Sequence, residues 1–199
     1  MQSMPGFLQH SSRAAPVGVA LILGLALLVL LARPVGAEPN AGTTITVTST
    51  APDTGGPGCT LRDAFTAANT GGVAGDCNGS GGGPYTIVLA PGATYTLIYT
   101  DNIGMYGHSN GLPQVVVPEV TVLGNGATIQ RSTAPGAPDF RFLEVMSSTA
   151  LTLNQVTLRN GNAGEDGDGG ALLNEVNMIA SLIAHNQTYC GVRSRIWAI

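Results

Sequence analysis

From residue 43 onward, apolar and polar positions alternate in short bursts. Thr43-Thr44-Ile45-Thr46-Val47-Thr48 is β-branched with a period of two, the mark of a half-buried strand. Comparable runs at 85–89, 94–100, 114–117, 120–123, 127–130 and 142–146 are separated by Gly, Pro and Asn, which turn a chain. One segment keeps a different period. In Cys59-Thr60-Leu61-Arg62-Asp63-Ala64-Phe65-Thr66-Ala67-Ala68-Asn69, residues Leu61, Ala64, Phe65 and Ala68 fall on one helical face. Thr60 is placed to cap that helix, Asp63 approximates the partner of a capping box, and Asn69 with Gly71 stops it. The pattern predicts one helix over 60–69, a glycine-rich loop over 71–84, and short strands after it.

From residue 151 the strand pattern repeats. Leu151, Leu153 and Leu158 match Val176, Met178 and Ile183 at an offset of 25, with a fainter echo in Val120, Val122, Ala127 and Ile129. Such a period in a Gly-, Asn- and Thr-rich chain predicts stacked coils that bury their inward side chains only together. The expected fold class is all-β: a right-handed parallel β-helix, or solenoid, with a short N-terminal capping α-helix over its first open edge. A β-sandwich is the competing reading of the same strands.

Ahead of the strands, residues 14–32 form an uninterrupted apolar run between Arg13 and Arg33, followed by Val35-Gly36-Ala37. A basic flank, an apolar stretch and a small-residue site describe a secretory signal peptide over 1–37. At 19 residues the run also has the length of a membrane span, so a signal anchor is the alternative. Both place the remainder outside the cytoplasm, secreted or at the cell surface. Cys59 and Cys77 are then the expected disulfide of an exported chain, with free thiols as the alternative, and Cys190 is left over.

Composition narrows the partners. Only 10% of the 199 residues are charged, against about 25% in ordinary soluble domains. All 8 basic residues are arginine, and 28 residues are glycine. Losing 1–37 removes two arginines and none of the 12 acids, leaving a formal charge of −6. That surface carries no electrostatic footprint for nucleic acid, and it meets a membrane only through the N-terminal apolar segment.

The hexad Cys59-Thr60-Leu61-Arg62-Asp63-Ala64 closely resembles Cys-Ser-Leu-Arg-Glu-Ala, the motif that names the CSLREA domain, with Thr for Ser and Asp for Glu. Asn69, Pro91-Gly92-Ala93-Thr94-Tyr95 and Gly124-Asn125-Gly126-Ala127-Thr128-Ile129 are also similar to that family. The resemblance, over about 44–187, implies a bacterial exported protein with a CSLREA-type N-terminal cap at 38–84 and parallel β-helix coils at 85–187. Gly169-Gly170-Ala171-Leu172 and Ile183-Ala184-His185-Asn186 are similar to repeats of polymorphic outer-membrane proteins, which implies adhesin-like relatives. It carries over no catalytic site. Residues 188–199 leave the pattern and read as an atypical, frameshifted or truncated tail, with genuine C-terminal capping as the alternative.

Candidate chemistry is sparse. Gly107-His108-Ser109-Asn110-Gly111 has the spacing of a nucleophile elbow, but Pro113 and Pro118 forbid the helix that must follow one. Glu165, Asp166 and Asp168 form an acidic turn that could hold Ca²⁺, without EF-hand spacing; a solvated loop is the default, and no other cofactor is expected. Arg131, Arg141 and Arg159 are available to a polysaccharide lyase, yet nothing in the sequence sets them beside carboxylates. The expected function is therefore a non-enzymatic structural or adhesive surface protein, whose partner is a host or neighbour cell surface or a glycan. A pectate-lyase-like polysaccharide lyase or glycoside hydrolase is the alternative, and a non-functional fragment of a longer protein is a third reading.

Overall fold

A computed structural model describes residues 42–52, 56–164, 170–174 and 183–184, all within the unit Pro39–Ile199. In chain order the elements are β1 (Thr43–Thr46), α1 (Leu61–Thr70), β2 (Val73–Ala74), β3 (Cys77–Asn78), β4 (Tyr85–Val88), β5 (Thr94–Leu97) and β6 (Asn102–Ile103). There follow β7 (Ser109–Asn110), β8 (Glu119–Arg131), β9 (Leu143–Val145), β10 (Ala150–Arg159), β11 (Leu172–Asn174) and β12 (Ile183–Ala184).

The alternation finds its partners in a six-stranded sheet. β1, β4, β8, β10 and β12 lie side by side and parallel, and β5 pairs with the second half of β8. Register sets like on like. Ile45, Ile87, Val122 and Leu153 are successive partners, and all four are buried. Tyr85, Val120 and Leu151 make a second inward row, and Tyr95, Ile129 and Leu158 a third. Each large aliphatic side chain withdrawn from water in these rows contributes about 1.5–3 kcal/mol. The residues between them take the other face, so Thr44, Thr86, Thr121 and Thr152 form an outward row.

Both long strands turn a corner midway. Partners are 31 residues apart up to Asn154 and 29 apart from Val156, because β8 spends Gly124-Asn125-Gly126 where β10 has only Gln155. Asn125 (φ 51°) and Gln155 (φ 53°) both take left-handed backbone there. The Asn125 side-chain amide donates to the Leu89 carbonyl at 3.0 Å, tying one corner to the layer beside it. Gly124 has no room for a side chain, since a Cβ would strike the Gln155 carbonyl oxygen.

A second parallel arrangement runs through 109–116, 140–146 and 171–174. Gly111, Leu112 and Val115 donate their backbone N–H to the carbonyls of Arg141, Phe142 and Glu144 at 2.8, 3.0 and 2.9 Å. Phe142 donates in turn to Ala171 at 2.9 Å, and β9 pairs with β11. One hydrophobic cluster spans Ile45, Leu61 and Phe65, then Leu112 and Phe142, and reaches Leu172. Helix and strands share a single core.

Two expectations are corrected. The chain is mainly β, but it is not a single right-handed parallel β-helix: its several sheets are mixed, with β2–β3 and β6–β7 pairing antiparallel. The cause is local. Gly75 (φ 53°) between β2 and β3, and Gly107 (φ 79°) between β6 and β7, permit tight reversals, and a tight reversal returns a strand antiparallel. The 25-residue offset also fails, because Ile183 pairs with Leu153 rather than Leu158. Leu151 and Leu153 instead pair with Val120 and Val122, the positions of the fainter echo. Val176 and Met178 lie outside the described residues.

Candidate functional site

The predicted helix forms one position later than expected, with Thr60 as its N-cap and Gly71 (φ 61°) as its left-handed C-cap. Thr60 Oγ1 accepts the Asp63 N–H at 3.2 Å and donates to Asp63 Oδ2 at 2.8 Å. The acid of this capping box therefore bonds the capping hydroxyl, a pairing that keeps two buried polar groups satisfied. Burial goes beyond the expected stripe, taking in Arg62, Asp63 and Ala67 as well as Leu61, Ala64, Phe65 and Ala68. Such all-round burial marks a helix enclosed by its own protein.

Cys59, Arg62 and Asp63 of the hexad each meet another segment of the chain. Arg62, 6% exposed, donates from its guanidinium to the Tyr99 carbonyl. Asp63 lies so close to the β2–β3 turn that a Cβ on Gly75 would meet its carboxylate. Cys59 and Cys77 form a disulfide that joins the residue before the N-cap to β3. The Cys59 carbonyl accepts from Thr48 and Ser49 N–H at 2.9 and 3.0 Å, and its N–H donates to Thr48 Oγ1 at 2.9 Å. Together these bonds fix α1 beside β1 and β4.

Asn69 extends the same function across the molecule. Its Nδ2 donates to the Gln114 carbonyl at 2.6 Å, and its Oδ1 accepts the Val116 N–H at 3.2 Å. A single side-chain amide thus bonds both the acceptor and the donor that an adjacent strand would bond. The sequence marked Asn69 as a helix stop and as part of the family resemblance; the structure gives it this second role.

A polar cluster that the sequence reading missed lies under the β6–β7 hairpin. Glu144, fully buried on β9, accepts from Met105 N–H at 3.2 Å, Asn110 Nδ2 at 3.1 Å and Gln114 Nε2 at 2.7 Å. Asn110 Nδ2 also donates to Asn102 Oδ1 at 2.7 Å, joining the two strands of the hairpin. Arg141, equally buried, is bridged to Asn110 through the backbone. The available signal was two charges inside the apolar run Phe140-Arg141-Phe142-Leu143-Glu144-Val145, since charges are almost never fully buried unless paired.

The other candidates among the described residues are not gathered into one site. Ser109 sits in β7 opposite Ile103, and an extended run follows it, so the strand–turn–helix of a nucleophile elbow is missing. Arg131 donates to the Asn160 and Pro138 carbonyls at 2.8 and 3.2 Å and lies 3.5 Å from Asp139. Arg159 is exposed at the end of β10, whereas Arg141 is buried, so the three arginines occupy different settings. Glu165, Asp166, Asp168 and Cys190, with the leader 1–37 and the tail 188–199, lie outside the described residues. Among the described residues, no group of three or more His, Cys, Asp or Glu is arranged to hold a metal ion. No helix among them is long and apolar enough to cross a membrane. No family model, curated protein or solved structure matches this chain.

Proposed function

We propose that this is an exported, non-enzymatic protein of the cell surface or extracellular medium, with a structural or adhesive role. In this reading the hexad is a CSLREA-like closing module, and the binding surfaces are the outward faces and loops of the strands. The observation that carries it is the use of the motif residues. Thr60 and Asp63 bond each other to cap α1, Arg62 bonds the Tyr99 carbonyl, and the Cys59–Cys77 bridge fastens the start of the helix to β3. The outward row Thr44, Thr86, Thr121 and Thr152 is neutral and rich in hydroxyls, which favours an uncharged, hydrogen-bonding partner such as a glycan over a polyanion.

The test is to produce the full chain with its leader in a bacterial host. It is expected outside the cytoplasm with Cys59 and Cys77 oxidised, and it should be retained saturably on cell or neutral-glycan surfaces. It should release no sugar from pectin with or without Ca²⁺. Retention in the cytoplasm, or depolymerisation of the polysaccharide, would overturn the proposal.

A further inference from the structure

Three donors to the buried Glu144 carboxylate come from one stretch of chain, 105–114. Oε1 holds the tip of the β6–β7 hairpin through Met105 N–H, and Oε2 holds β7 and the residues after it through Asn110 and Gln114. Gly104 packs so tightly on this carboxylate that a Cβ there would overlap Oε2. The tip has little apolar anchorage of its own: Ile103, Met105 and Tyr106 are 72%, 58% and 66% exposed. Other bonds within the hairpin include Asp101 N–H to the Asn110 carbonyl at 2.7 Å and Gly104 N–H to the His108 carbonyl at 2.8 Å; at its base Arg141 N–H meets the Ser109 carbonyl at 3.1 Å and Asn102 Nδ2 donates to the Leu112 carbonyl at 3.0 Å.

We infer that Glu144 is a proton-operated latch on the β6–β7 hairpin: ionised, it holds the tip closed, and protonated, it releases the tip while the six-stranded sheet stays folded. An ionised carboxylate only accepts, and here Met105, Asn110 and Gln114 all donate to it. Adding a proton turns one oxygen into a donor facing donors, and a buried polar group without a partner is costly. Opening the hairpin lets water solvate both the acid and the freed donors. The charged and titratable groups on the neighbouring segments are Asp101 and His108 on the hairpin and Arg141, three residues before Glu144 and outside β9. Asn102, Asn110 and Gln114 are neutral.

The experiment is segment-resolved amide hydrogen exchange on the full chain, corrected for intrinsic exchange, from neutral pH down to the most acid pH at which β8 stays protected. Protection of 102–110 should fall about tenfold relative to β8 as the acid protonates. Glu144→Gln should show the loosened hairpin already at neutral pH and respond no further, whereas Asp101→Asn and His108→Gln should keep the wild-type response. Three results would overturn the latch: a hairpin protected throughout the titration, protection lost only in step with β8, or a Glu144→Gln hairpin as protected as wild type. Should Glu144→Gln fail to fold, the wild-type titration decides alone.

Discussion

At the scale of residues, a buried hydroxyl and a side-chain amide each bond two polar groups at once. Thr60 caps the helix and donates to Asp63 while fully buried, so its loss removes both a cap and a carboxylate's partner. Thr60→Ala should cost about 1–2 kcal/mol, read as a lower urea midpoint with an unchanged slope. Thr60→Ser, which keeps the hydroxyl, should recover most of that. Asn69→Asp is a sharper test, because it changes one nitrogen to an oxygen and sets it against the Gln114 carbonyl. It should destabilise by about 1–3 kcal/mol, more than expected for an exposed helix position, and a change within about 0.5 kcal/mol would show that the Gln114 bond carries nothing. The capping role of Thr60 was legible because caps are set by neighbours three residues away. The reach of Asn69 to 114–116 was not, since it depends on which strand edge the helix comes to face.

At the scale of elements, the corners decide register. Helix 60–69 and the first strand were legible because each is specified within a short window of sequence, and the Cys59–Cys77 pairing because an exported chain is expected to oxidise its cysteines. Register was not, since a period of two matches any even displacement and leaves the choice to turn geometry. The corner of β8 carries two residues more than that of β10, and this difference gave the true partners their irregular spacing. It also separates two substitutions. Gly124→Ala places a methyl against the Gln155 backbone and should destabilise by well over about 1 kcal/mol, there being no flexible side chain to yield. Gln155→Gly relieves a left-handed non-glycine residue and should be neutral or stabilising by up to about 1 kcal/mol. Thermal unfolding of the two variants side by side checks this, and equal losses at both positions would refute the corner argument.

For the whole molecule, the question is whether the fastened helix and the parallel sheet are one cooperative unit. A sheet built by adding strands side by side can fray from an edge, and regions with few shared contacts open independently. Here the hydrophobic cluster runs without a break from Leu61 and Phe65 on α1 through Ile45 and Ile87 to Leu153, and Asn69 bonds the helix to 114–116. Opening the helix alone would expose the first inward row to water, and opening the strands alone would leave the helix with nothing to bury against. The two should therefore melt together. Ile45→Val, on the edge strand beside the helix, removes one buried methylene and should cost about 0.5–1.5 kcal/mol. If the unit is cooperative, that loss should shift two urea transitions equally, one followed by accessibility of a probe near Tyr99 and one by β-sheet circular dichroism. A transition that splits, with only the signal from near the helix moving, would assign the helix and the sheet to separate folding units despite their common core.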